Sequence, residues 1–180
     1  MSDISSDLPS DLPSDPPSAL SMPDQPITTR AEFHAALRRG FAEAAAAGSR
    51  EIWLSDPHFG DWPLGERDVI DSLTRWVASS RRLTLLANGF DQVARRHPRW
   101  VTWRRTWSHV VSCRINTELE ADAVPTLLIA AGTITVRLID IEHHRGHISH
   151  SRAAEIQCKE MFDAVSQRSE EGFPATLTGL

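Results

Sequence analysis

Residues 50–65 read REIWLSDPHFGDWPLG. Ile52, Trp53 and Leu54 form a short apolar run with strand propensity. It is entered after Gly48, a helix stop, and left at Ser55-Asp56-Pro57, where a strand must end. The expectation is a buried strand running into a polar loop. In open α/β sheets ligands gather at the carboxyl ends of the strands, so Asp56, His58, Asp61 and Trp62 stand where a binding site belongs. A plain structural reading competes with this one: Asp56 caps a turn, His58 is solvated and Trp62 covers the sheet edge.

The flanking segments extend the strand into an α/β pattern. Before it, Thr29-Arg-Ala-Glu32 is a capping box, and Phe33, Leu37, Phe41 and Ala44 recur at helical spacing until Gly48. His34 lies off that apolar stripe. After it, Val69, Ile70, Leu73, Trp76 and Val77 predict a helix from about Glu66 to Ser79, and Leu83, Leu85 and Leu86 a second buried strand. Strand, helix, strand over this distance is a βαβ unit with parallel strands and a right-handed crossover. Further on, residues 109–115 predict a third strand, 117–123 an acidic linker, and 125–130 with 133–139 two strands joined at Ala131-Gly132. Ser151 caps a last helix that carries Ala154, Cys158, Met161, Phe162 and Val165 on one face. The fold class is therefore α/β, a mixed sheet of five or more strands flanked by helices.

Length and composition set the organisation. A chain of 180 residues, 41% hydrophobic, holds one good core. The net charge of -5 is misleading, because residues 1–29 hold five Asp and no Lys or Arg, while the remainder has 19 acidic and 19 basic side chains. Residues 7–18 repeat DLPS, DLPS, DPPS and offer little apolar surface to offset ordering entropy, so disorder is expected to about Pro26. Residues 1–28 are read as an acidic Pro/Ser/Asp-rich tail and 29–180 as the folded domain. Cys113 and Cys158 lack CxxC spacing and fit a reducing compartment. No run has the length of a membrane span and the N-terminus has no secretory pattern, so a cytoplasmic protein is expected.

Charge within the domain is uneven: residues 81–114 hold eight Arg against one acid, Asp91. Residues 88–108, NGFDQVARRHPRWVTWRRTWS, predict two short helices divided at Pro98. Trp100, Trp103 and Trp107 share a face, interleaved with Arg95, Arg96, Arg99, Arg104 and Arg105. Such Arg with aromatic neighbours contact phosphates and stack bases. The structural alternative is that Trp packs on the sheet while Arg stays solvated.

His143, His144, His147 and His150 have spacings that suit a metal on a helix, but Gly146 and the Ser151 cap predict a loop, and no metal site is expected. G-x-S-x-G, Walker A, G-x-G-x-x-G and H-E-x-x-H sequences are all absent, and no cofactor is expected. Asp56 with His58, or Asp61 with His143, forms an acid/base pair only if the fold brings the two together.

The order of elements, with strands EIWLSDPHF and RRLTLLA, the pair PTLLIAAGTITVRL and a final helix, resembles one half of the phospholipase D superfamily. LSDPHFGDWPLGE, RRHPRWVTWRRTWSH and FPATLTGL are similar to a small proteobacterial family related to that fold, one without an assigned function, over about Thr29 to Leu180. The superfamily's catalytic signature is H-x-K-x4-D, with His as nucleophile, Lys on the phosphate and Asp in support. Placed by the Ala131-Gly132 turn, its three slots fall on Val124, Thr126 and Ala131, which cannot do that chemistry. No H-x-K occurs anywhere, and the only Lys is Lys159. The resemblance thus implies the fold without the activity, a pseudoenzyme.

The leading functional expectation is non-catalytic binding of nucleic acid or another phosphate-bearing ligand by the Arg/Trp segment, with the loop after the first strand contributing. One rival is a phosphodiesterase using His58 or the His143–His150 cluster; another is a structural partner-binding subunit. A homodimer is a further expectation.

Overall fold

In the computed structural model, which describes residues 23–77 and 80–173, Trp53 lies in a central strand of an eight-stranded mixed sheet. In chain order the elements are β1 (Gln25–Ile27), α1 (Arg30–Ala47), β2 (Glu51–Ser55), α2 (Arg67–Trp76), β3 (Arg82–Ala87), α3 (Asp91–Arg96) and α4 (Pro98–Thr106). They continue with β4 (Val111–Ile115), β5 (Thr126–Ala130), β6 (Ile134–Asp140), β7 (Arg145–Ser149), α5 (Arg152–Ser166) and β8 (Glu170–Glu171). The strand order is β1-β7-β6-β5-β2-β3-β4-β8. β2 and β3, and β3 and β4, pair in parallel, as a βαβ unit requires; β2 meets β5 antiparallel.

Alternation along β2 divides the interior in two. Ile52 and Leu54 face α1 and α2, where Phe33, Leu37, Phe41, Leu73 and Trp76 are fully or almost fully buried. Trp53 faces the other side and packs with Leu127, Ile129, Cys158 and Phe162 beneath α5. Helices therefore cover both faces of the sheet, which explains why β3 is apolar on both.

The helix signals hold. The Thr29 hydroxyl accepts from the Glu32 amide at 3.2 Å, while the Glu32 carboxylate reaches back to the amide and hydroxyl of Thr28, one residue earlier than a capping box prescribes. Gly48 ends α1 in the left-handed region, φ 66°. Ser151 caps α5 through the Ala154 amide.

Four elements depart from expectation. Residues 143–150 are not a loop: Ile141–His144 form a tight turn and Arg145–Ser149 pair with β6. Gly146 is there because a Cβ would lie 1.9 Å from the Arg137 carbonyl oxygen, so only glycine lets the two backbones approach. β1 pairs antiparallel with β7 across Gln25–Ile148 and Ile27–Gly146, and Ile27 is buried. The domain therefore begins before residue 28, and disorder does not extend to Pro26; residues 1–22 lie outside those described. β8 adds a two-residue edge on β4. β4 itself starts at Val111 rather than His109, after a turn closed by Val110 N–H to Trp107 O. No helix among the described residues is long and apolar enough to cross a membrane.

Candidate functional site

Asp56, the first residue after β2, organises the loop that follows. One carboxylate oxygen accepts from the amides of His58 and Phe59 at 2.9 and 2.6 Å. The other accepts from the Trp62 indole at 3.0 Å and the Thr126 hydroxyl at 2.9 Å. Four donors occupy the carboxylate, so Asp56 builds the loop and has little capacity left for a ligand. Phe59 takes a left-handed φ of 53° within this turn and is buried edge-on to Trp62, which is itself 2% exposed. His58 is exposed in a separate depression beside Asn88, Asp91 and Gln92.

Asp61 gathers basic side chains from two segments, α1 and the β6–β7 turn. Arg30, in the first turn of α1, places Nε 2.6 Å from Oδ1, and His144, in the β6–β7 turn, places Nε2 2.8 Å from Oδ2. His34 Nε2 donates to the Asp61 carbonyl at 2.6 Å. Burial opposes ionisation of Asp61, but the hydrogen bonds from Arg30 and His144 and the nearby positive charge outweigh it and hold the carboxyl below its ordinary range. The sequence pairing of Asp61 with His143 is thus corrected by one residue. His143 turns instead to Asp140, Nδ1 to Oδ2 2.9 Å, and His144 reaches inward because it takes φ 52°. Among the described residues no three His, Cys, Asp or Glu side chains are placed to hold a metal ion.

The arginine-rich segment divides by side chain. His97, between α3 and α4, is buried and donates from Nε2 to the Phe59 carbonyl at 2.9 Å, fastening the helices to the loop. Burial drives its pKa down, only partly opposed by that hydrogen bond. Arg96 and Arg99, on either side of it, donate to the carbonyls of Gly60 and Gly65 at 3.2 and 3.3 Å. With Arg30, His34, Asp61 and Glu66 they line an open groove of about 490 Å³. Arg30 is paired with Asp61, and Arg38 with Glu66 at 2.6 and 3.0 Å. Arg96 and Arg99 meet only carbonyl oxygens, so among the described residues neither charge is paired with a carboxylate.

The remaining members of the segment lie elsewhere. Arg95 and Arg105 are exposed outside the groove. Arg104 is not on the surface: it is 6% exposed, and its guanidinium lies 4.8 Å over the Phe173 ring. Trp100 and Trp103 belong to the core and Trp107 is half-buried against it, so the first two have no face to offer a base. Cys113 and Cys158 are buried and unpaired, and burial pushes the Cys113 thiol up to about 11. Of the residues singled out from sequence, Asp61, Trp62, Arg96 and Arg99 converge on one groove. Arg30, His34 and His97 join them; the first two are four apart at the start of α1 and so share a face turned to the loop.

The slots assigned to the H-x-K-x4-D signature hold structural side chains. Val124 is fully buried beneath α5, and Thr126 spends its hydroxyl on Asp56.

No protein-family model matches the chain, and no curated protein sequence does. Solved structures do resemble it. TrmBL2, an archaeal chromatin protein whose structure shows a novel mode of DNA binding, aligns with TM-score 0.58 and 13% identity over 83% of this chain. The chain spans 54% of TrmBL2, about half its length. NucT from Helicobacter pylori, which has a phospholipase-D-like fold, aligns with TM-score 0.53 and 10% identity over 84% of this chain and 99% of its own. At these identities the likeness is one of fold: this chain is a single α/β domain of phospholipase-D-like architecture.

Proposed function

We propose that this domain is a non-catalytic, phospholipase-D-like module that binds nucleic acid by its phosphate backbone. The observation that carries the reading is the convergence of Arg96 and Arg99 with Arg30 on one open groove, where, among the described residues, the Arg96 and Arg99 guanidinium groups bond only carbonyl oxygens. A guanidinium so placed exchanges a long bond to a neutral carbonyl for a shorter, ion-paired one when a phosphate arrives. Trp100 and Trp103 are buried, so the contact is to backbone rather than to stacked bases, and such contacts carry no sequence information. DNA binding by TrmBL2 supports the same reading through shared architecture.

The non-catalytic part rests on Val124, Thr126 and Ala131 standing in the catalytic slots and on the absence of any H-x-K in the sequence. The phosphodiesterase alternative has less behind it. His58 stands apart from the groove, His143 pairs with Asp140 on the surface, and the carboxylate that meets His144 is already bound to Arg30.

Fluorescence anisotropy with a labelled oligonucleotide, single-stranded and duplex, tests the proposal. Saturable binding at low salt is expected for both forms, with little dependence on sequence, and no turnover of a generic phosphodiester. An absence of binding to either form overturns the nucleic-acid reading, and turnover abolished by His58→Ala or His144→Ala overturns the non-catalytic one.

A further inference from the structure

At the other end of the central strands, Arg50, Arg81 and Arg82 surround a second open pocket of about 480 Å³ with His109, Ser80 and Glu51. Arg50 and Arg82 enter neighbouring parallel strands side by side, the Arg82 amide donating to the Arg50 carbonyl at 3.1 Å. Among the described residues one carboxylate lines the pocket, that of Glu51, which stands opposite Arg82 in register and pairs with its guanidinium at 3.7 Å, leaving Arg50 and Arg81 without a carboxylate. Arg81 donates one Nη group to the Gly48 carbonyl at the end of α1, and its Nε is buried without a partner among the described residues. Among the described residues three guanidinium groups against one carboxylate leave a net charge of two at a concave, polar site, and one of its lining residues, Arg81, carries a buried donor without a partner.

We propose that this pocket is a second phosphate-binding site, taking either a phosphate of a nucleic-acid backbone or a free phosphate monoester. It is separate from the Arg96/Arg99 groove, because β2 runs between the two with Glu51 at its start and Ser55 immediately before the groove-bearing loop. Five residues of strand span roughly 16 Å. One phosphate cannot reach both, and the site stands or falls independently of the groove.

Heteronuclear NMR of the whole chain tests it, following the Arg81 Nε–H and the His109 ring during titration with inorganic phosphate and, separately, with a single-stranded oligothymidylate. Saturable shifts are expected with at least one ligand, and the tighter of the two identifies the natural source of the phosphate. Arg50→Gln with Arg82→Gln, both exposed positions, should weaken that binding at least about tenfold, while Arg96→Gln with Arg99→Gln leaves it within about twofold. Three results would each overturn the site: no saturable shift with either ligand, the same shifts from sodium chloride at equal ionic strength, or equal loss from the Arg96 and Arg99 pair.

Discussion

The Thr126 hydroxyl donates to the Asp56 carboxylate at 2.9 Å, tying the first residue of β5 to the turn that leaves β2. The same carboxylate holds the Trp62 indole and two loop amides, so the groove's floor depends on it. Asp56→Ala leaves up to four donors without an acceptor, at about 1–3 kcal/mol for each that stays buried. The expected result in urea denaturation is a loss of at least about 3 kcal/mol, with Thr126→Val costing about 1 kcal/mol. An Asp56→Ala variant as stable as wild type would show that the loop is held by something else.

Gly146→Ala forces a Cβ against the Arg137 carbonyl oxygen and to 2.8 Å from Leu138 Cα, both backbone atoms that have no room to retreat. Destabilisation of about 3 kcal/mol or more is expected, visible as a thermal midpoint lowered by several degrees. Because β1 hangs on β7 and His144 precedes it, amide exchange should also rise at Ile27 and the Arg30–Asp61 contact loosen.

His97 gives the fold a pH dependence near neutrality. Its folded pKa lies below the ordinary value of about 6.5, so the unfolded chain binds the proton more readily. Its contribution is complete above about pH 6.5 and is lost as pH falls toward the folded pKa. The urea midpoint should therefore decline on acidification from about pH 7, and His97→Gln, which can still donate to Phe59, should flatten that decline. The depressed carboxylates Asp61, Glu66 and Glu43 act in a lower window: their contribution is present above about pH 4.5 and is lost below it. An unchanged pH profile in the His97 variant would assign the decline to other groups.

Much of the frame was legible in the sequence because the signals are local. Ile52-Trp53-Leu54 after Gly48, the Thr29–Glu32 cap, the division at Pro98 and the Ala131-Gly132 turn each rest on residues within a few positions of one another. β1 and β8, at three and two residues, are too short to show any period. β7 was hidden by Gly146, a residue that reads equally as a loop or as a close backbone approach. The site divides the same way. Trp100 and Arg104 are four apart on α4 and share a face, but Arg99 and Trp103 have the same spacing, so spacing alone did not separate the buried Arg104 from the exposed Arg99 and Arg105. Asp61 and His144 are 83 residues apart, and nothing local pairs them.

The central claim, that the groove holds phosphates through Arg96 and Arg99, is tested most directly by the salt dependence of oligonucleotide binding. Each neutralised phosphate of a single strand contributes about 0.7 to the slope of log K against log salt. Wild type should bind more weakly as salt rises, and Arg96→Glu with Arg99→Glu should lower the slope by about 1.4 and the affinity with it. Arg104→Ala serves as the control: it should lose about 1–2 kcal/mol of stability with its Phe173 contact and keep the wild-type slope. An Arg96/Arg99 variant that folds and keeps both the wild-type slope and affinity would contradict the account.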